Sequence, residues 1–284
     1  MLTDGLGQDR LQISGWLVTE TRDTPYDGST ETPNPLSERT SVRVWLVSAD
    51  VRLTARFGLQ VTSTLPDVTR SAVVNRPTGV VNFSETFRGF GDTSVLFWHR
   101  GQLQHWGVVL NGGVSLPTGK TEAPRFSSEL DEGSLVPLSR LQRGSGTVDP
   151  LVGITANRLI SSIFHPGVRV FANAATRVPL ATNEHGLRTG ASWEVGTGAS
   201  REILRDWFVV MGRLSWLHRK QDTFNGTPIL VGGGDWIYFA PALSITRGPV
   251  TFQTEAKFPL HRSLDNRQLD AARAFQVGMI WKPF

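Results

Sequence analysis

His261 and Ser263 stand two residues apart, so on an extended segment both side chains would project from one face. A serine beside an imidazole is the start of a nucleophilic relay, which needs a third group to orient the ring. Asp265 and Asn266 follow within the same stretch and are the nearest candidates for that group. Gly113 to Thr121 (Gly-Val-Ser-Leu-Pro-Thr-Gly-Lys-Thr) invites a different chemistry, phosphate binding. The spacing argues against it: five residues separate Gly113 from Gly119 where a phosphate loop has four. Pro124 and a Gly/Ser-rich run then follow where a helix would have to present its N-terminal amides. A strand ending in a Pro-Thr-Gly turn explains the stretch better. His99, His105, His165, His185 and His218 show no ligand spacing, so neither a metal nor another cofactor is expected.

A third constellation is ionic. Arg43, Arg169, Arg177, Glu194, Arg213, Glu255 and Lys257 each interrupt a stretch of alternating apolar residues. Val250, Phe252, Ala256 and Phe258, for instance, alternate with Thr251, Gln253, Glu255 and Lys257. A period of two is the signature of a strand with one apolar and one polar face. The closing stretch shows it again, with Phe275, Val277, Met279 and Trp281 on one parity. A terminal strand of this kind has to pair with something already made, and the first strand is the natural partner. Closing a sheet on itself removes both edges.

About twelve strands are expected: Asp9–Thr19, Ser41–Thr54, Gly58–Leu65, Asp92–His99, Leu103–Leu116, Thr147–Arg158, Val168–Val178, Leu187–Ala199, Trp207–His218, Trp236–Ile245, Val250–Phe258 and Ala271–Phe284. A bulge is expected at Ser14-Gly15, where the apolar parity of the first strand switches. The connections alternate long and short. Glu20 to Thr40, Pro66 to Gly91, Pro117 to Gly146 and Leu260–Asp270 read as irregular loops, whereas Arg100-Gly101-Gln102 and Arg247-Gly248-Pro249 are tight turns. Bacterial outer-membrane barrels pair an even strand count with brief periplasmic turns and longer extracellular loops, while a soluble sandwich has no reason to sort its connections this way. The reading is all-β, a single antiparallel transmembrane β-barrel of about twelve strands occupying residues 1–284 as one domain in the bacterial outer membrane.

Composition agrees. Hydrophobic residues are 39% and charged residues 19% of the chain, mean hydropathy is -0.15, and no run of apolar residues is long enough for a spanning helix. A spanning strand needs only ~9–11 residues, half of them apolar, so ordinary hydropathy is no obstacle. The net charge of +4 is spread without a basic run, which excludes nucleic acid as a partner. No basic segment followed by an apolar core opens the chain, so an outer-membrane protein in this form is expected to be mature or trimmed. Trp98, Trp106, Trp207 and Trp281 fall near turn ends and Trp16, Trp216 and Trp236 near loop ends, giving two aromatic girdles of the kind a bilayer selects. Trp45 and Trp193 fit neither level. On this reading the ionic constellation lines the lumen, either as a plug of Arg–Glu pairs or as a narrow polar path.

At Gly91-Asp92, at Leu116-Pro117-Thr118-Gly119 and at Gly144-Ser145-Gly146-Thr147-Val148-Asp149-Pro150 the chain resembles the outer-membrane proteins named for the meta-pathway of phenol degradation. The resemblance runs from about Ser41 to Phe284. It implies a barrel of roughly twelve strands that passes small, often aromatic or apolar, compounds, and no enzyme. The alternating last strand ending in Phe284 also looks like the signal read by the barrel assembly machinery, with Pro283 as a departure. The His261–Ser263 pair is similar to that of outer-membrane phospholipases, which place the two residues at the outer-leaflet rim. Expected partners are therefore membrane lipid, a small solute and the assembly machinery. A docking subunit of an envelope complex and a barrel lipid hydrolase are the alternatives.

Overall fold

The structure, a computed structural model, describes residues 10–76, 79–121, 143–160, 167–204, 207–229 and 232–283 of the chain. Phe284, invoked above as an assembly signal, lies outside them, as do the expected loop residues 122–142. No helix occurs among the described residues.

The elements are β1 (Leu11–Gly28), β2 (Thr30–Glu31), β3 (Arg39–Arg52), β4 (Phe57–Arg76), β5 (Gly79–Arg88), β6 (Thr93–Leu103), β7 (Trp106–Leu116) and β8 (Asp149–Ile160). They continue with β9 (Val168–Arg177), β10 (Leu187–Arg188), β11 (Ser192–Leu204), β12 (Phe208–Arg219), β13 (Thr223–Phe224), β14 (Thr227–Pro228), β15 (Gly234–Arg247) and β16 (Val250–Trp281). Hydrogen bonding runs β16-β15-β12-β11-β9-β8-β7-β6-β4-β3-β1, and β16 pairs back onto β1 to close an antiparallel barrel of eleven elements. β2 and β5 lie off the ring, and β10, β13 and β14 form a small separate sheet.

β16 has 32 residues, which fully extended would reach about 105 Å. Its two ends nevertheless meet: Val250 pairs with Arg247, Trp281 pairs with Ile13, and the Lys282 N–H donates to the Pro249 carbonyl at 2.9 Å. The element therefore doubles back. One arm, Val250–Leu264, pairs with β15; the other, Leu264–Trp281, pairs with β1. Arg262 Nη1 lies 3.4 Å from Asp270 Oδ2 across the two arms. Counting both arms, the ring is crossed twelve times, as the alternation predicts.

The connections sort to opposite ends, with long ones after β1, β4, β7, β9 and β12 and short ones after β3, β6, β11 and β15. Three stretches expected to be irregular are instead extended. Most of Glu20 to Thr40 is ladder, because β1 continues to Gly28 and pairs with both β2 and β16. Pro66 to Gly91 is largely a hairpin, β4 turning back as β5 from Asp67↔Arg88 to Arg76↔Gly79. Val68 and Phe87 are buried on one face of it, with Val42 of β3 packed against them. Leu260–Asp270 is the tip of the β16 hairpin. Polar residues hide the alternation in all three, since a ladder above a bilayer has water on its outer face.

The expected bulge at Ser14-Gly15 is absent. β1 stays in register with β3 from Leu11 to Arg22, and its register shifts against β16 begin only after Glu20. The switch in apolar parity arises because Trp16 points inward, not because the strand slips. Parity elsewhere is unambiguous: Phe97 is 61% exposed and its neighbour Trp98 6%. Val47, Leu110, Val152, Val195, Leu214, Leu243, Phe252 and Val277 are likewise exposed. The apolar face of the sheet is thus outward and the polar face encloses the hollow, the arrangement of a membrane barrel and the inverse of a soluble one.

Candidate functional site

The candidate site is the hollow itself. Inward positions on ten strands leave a lower cavity of about 470 Å³ whose wall includes Trp16, Leu46, Leu96, Val109, Leu151, Phe171 and Arg213. Nearer the long-loop end is a second cavity of about 420 Å³, bordered by Arg22, Asp92, Arg143, Arg177 and Arg219. Leu46 of β3 and Leu151 of β8 border both. They mark the boundary between a lower chamber of mixed wall, its apolar side chains set beside Asp50, Arg100, Arg213 and Glu255, and an arginine-rich vestibule. A side cavity of about 180 Å³, with Glu20 and Lys257 in its wall, shares Arg22 and Arg219 with the vestibule.

Most of the ionic residues singled out from sequence sit on the inward parity. Arg213 of β12 donates from Nη2 to Glu255 Oε1 at 3.0 Å and from Nη1 to Glu194 Oε1 at 3.4 Å, tying β11, β12 and β16 together. Lys257 Nζ lies 4.1 Å from the Tyr238 ring centroid, a cation–π contact. Arg169 donates to Asn157 Oδ1 at 3.2 Å. Arg43 is the exception: it is exposed and shares the outward parity of Trp45 and Val47. Near the top of β3 a guanidinium can face outward and still reach water.

The tryptophans divide. Trp207, Trp216 and Trp281 are exposed on the outer wall, and Trp106 shares the outward parity of Leu110. Trp207 precedes β12 and Trp216 lies within it, nine residues on, about 30 Å along the strand and roughly 23 Å of height at a ~40° tilt, close to the ~25 Å apolar band of such barrels. Trp16, Trp98 and Trp236 do not belong to a girdle. All three are buried inside, where the Trp98 indole N–H donates to Asp50 Oδ1 at 3.1 Å and that of Trp236 to Asp270 Oδ2 at 3.1 Å. Inward-facing Asp50 and Asp270 supply acceptors that make burial of an indole affordable inside the barrel. Trp45 and Trp193 also face outward; Trp193 packs on His218 at 5.3 Å, beside Trp216.

The three glycine-containing stretches that carry the family resemblance converge at the vestibule rim. The backbone N–H groups of Gly119 and Ser145 both donate to the Asp92 carboxylate, at 3.3 and 2.8 Å, and Thr118 Oγ1 donates to the Gly91 carbonyl at 2.9 Å. Gly119 and Gly144 lie back to back, where a Cβ on Gly119 would come 2.7 Å from Gly144 Cα. Arg177 then locks the knot to the wall: its Nε and Nη2 donate to Asp149 Oδ2 at 2.8 and 2.5 Å, and Asp149 is fully buried. Asp222 repeats the device, accepting from Arg219 Nη2 at 2.8 Å and the Gly190 N–H at 2.7 Å. Sequence reasoning missed Asp92, Asp149 and Asp222 as a set: Asp92 and Asp149 bond groups 27 to 53 positions away, and Arg219, three residues before Asp222, carries no signal until both are at the rim.

His261 and Ser263 are exposed on the outer wall, and no hydrogen bond joins them among the described residues. Asp265 and Asn266 form the hairpin tip. Asp235, which pairs with Ser263 in the ladder, accepts instead from Trp216 Nε1 and bonds His218 Nδ1, both at 3.0 Å.

Fold and wall polarity together define a β-barrel of the bacterial outer-membrane type. No protein-family profile matches the chain, and neither does any curated protein. Among solved structures the chain is similar to the COG4313 outer membrane channel from Pseudomonas putida F1, with a TM-score of 0.67 at 12% identity over 96% of this chain and 95% of that one. It is also similar to the transport unit of the autotransporter AIDA-I from Escherichia coli, with a TM-score of 0.54 at 9% identity over 100% of this chain and 93% of that one. At such identities the likeness is one of fold.

Proposed function

We propose that the chain is an outer-membrane channel for passive passage of small molecules through its own lumen, of the kind named for the meta-pathway of phenol degradation. The observation that carries the reading is a polar-walled hollow containing two cavities in series, meeting at Leu46 and Leu151. A barrel serving only as a docking subunit has no need of such a hollow. The similar fold of an outer membrane channel supports the proposal, as does the convergence of all three resembling stretches on one rim. The outward placement of His261 and Ser263 is the one a barrel hydrolase needs, but no hydrogen bond joins them among the described residues, so the relay that reading requires is not formed.

Single-channel recording in planar bilayers tests it. Trimming the boundary with Leu46→Ala and Leu151→Ala together should raise conductance, and Leu151→Trp should lower it. Conductance indifferent to both changes would remove the lumen as the path.

A further inference from the structure

We propose that the vestibule is an oxyanion site, and that the solute it selects is an amphipathic carboxylate whose apolar body occupies the lower chamber. The inference rests on the channel reading and names the substrate class for the same lumen.

Among the described residues four guanidinium groups border the vestibule, those of Arg22, Arg143, Arg177 and Arg219, with one carboxylate, Asp92. Asp92 Oδ2 lies 3.7 Å from Arg177 Nη2, and Arg143 Nη1 donates to the Arg88 carbonyl at 2.8 Å. The acids that hold two of these arginines, Asp149 and Asp222, are fully buried and do not line the cavity. They fix the guanidinium groups from behind without presenting negative charge to a solute. Arg22 is held in the same way, its Nε donating to Glu20 Oε1 at 2.7 Å, and Glu20 borders the side cavity and not the vestibule. Each guanidinium has five donors in a rigid fork. Arg219 gives one of its nitrogens to Asp222, and Arg177 gives two to Asp149. Such pre-positioned forks match the geometry of a carboxylate and are less strongly hydrated than an ammonium.

A second observation is independent of charge. Thr189 borders the vestibule, and its Oγ1 is buried with no hydrogen-bond partner among the described residues. A buried hydroxyl left unmade is costly, and turning the Thr189 side chain toward the vestibule would let an oxyanion supply its acceptor.

Below Leu46 and Leu151 the wall changes character. Trp16, Leu96, Val109 and Phe171 give the chamber an apolar patch beside Asp50, Arg100, Arg213 and Glu255, and the Trp16 and Trp98 rings lie close against neighbouring backbone. One molecule spanning both compartments therefore has its anionic end among the arginines and its apolar body beneath. A wholly apolar solute would have to cross four cations, and a small inorganic anion would leave the lower chamber unused.

Titration calorimetry on the full chain in detergent, with octanoate, 1-octanol, acetate and inorganic phosphate as probes, tests this. Octanoate should bind at least about tenfold more tightly than the other three, the size of one charge-assisted hydrogen bond. Arg22→Gln should weaken octanoate by roughly that factor and leave octanol unchanged, and Thr189→Val should weaken octanoate by a smaller factor. Because Asp222 is buried, Arg219→Gln is made together with Asp222→Asn, with heat-modifiable gel migration as the check of fold. Equal binding of octanol and octanoate overturns the proposal, as does acetate or phosphate competing at octanoate's strength, or an octanoate affinity indifferent to these substitutions. Conductance recorded on the same protein separates the two readings. Binding without conductance would sink the channel and leave the site; conductance without octanoate binding would do the reverse.

Discussion

The Trp98 indole lies directly over Gly58 of the adjacent strand, its cross-strand partner, so closely that a Cβ on Gly58 would fall 2.1 Å from Trp98 Cζ2. Trp16 stands over Gly278 in the same way, again as direct ladder partners and again at 2.1 Å. An inward indole in a narrow barrel has nowhere to lie except flat on the wall, and a glycine opposite makes the wall flat.

Gly58 should therefore be irreplaceable where Gly112, on an open stretch of wall, is not. Gly58→Ala forces the indole off its seat and should cost about 1–3 kcal/mol, the usual cost of overpacking. Gly112→Ala, whose new Cβ would meet nothing closer than 4.0 Å, should be close to neutral. Urea unfolding of the barrel in lipid vesicles, followed by tryptophan emission, measures both.

Asp149→Asn should loosen the rim. It keeps the side-chain shape and removes the charge that holds Arg177, a loss of about 1.5–3 kcal/mol for hydrogen bonds to a charged group. The damage should be local, because Asp149 and Arg177 stand at the long-loop ends of β8 and β9, the last positions of their ladders. Limited proteolysis should cut the long-loop end faster while the barrel retains its heat-modifiable migration.

Arginine placed on the outer wall should impair assembly according to depth. Val210 lies between the Trp207 and Trp216 levels and faces outward, so Val210→Arg should cost about 2–4 kcal/mol at that height. Met211→Arg, one residue on, points into the hollow and should cost far less. Refolding yield into vesicles distinguishes the two.

Arg213 is the cation between Glu194 and Glu255, and removing it leaves both carboxylates without it, Glu255 in the wall of the lower chamber. Arg213→Gln should shift the reversal potential in a salt gradient toward cation preference. Arg169→Gln, at the short-turn end and bonded to a neutral asparagine, should shift it less. An unchanged reversal potential in both would remove these residues from the ion path.

The barrel was legible because lipid and lumen impose opposite demands on alternate residues, and Phe252 against Gln253 records that demand in one dimension. The parts above the bilayer were not, since in Asp67 to Arg70 and Arg267 to Asp270 the outer face meets water instead of lipid, and the buried face takes Arg70, Gln268 and Asp270 as readily as Val68. Tryptophan was ambiguous for a physical reason. An indole suits an interface and also suits an interior that offers it a carboxylate, and the Asp50 that receives Trp98 lies 48 positions away. Arg43 misled because its parity matched a strand pattern whose polar and apolar faces trade places near the rim. The vestibule was the least visible feature, as no local spacing brings Asp92, Asp149, Arg177 and Arg219 together before the cylinder exists.

Ile13 sits against Trp281, so the seam of this ring joins its first strand to its last. Every other junction can zip between neighbours, but this one waits for the whole chain, at a loop-closure penalty about 3 kcal/mol above that of a single hairpin. Until the final hairpin arrives, the nascent sheet carries two bare margins open to any passing strand. Safe transit thus depends on something that shields those margins, and a copy cut short before Val250 should polymerise margin to margin rather than persist as an incomplete cylinder.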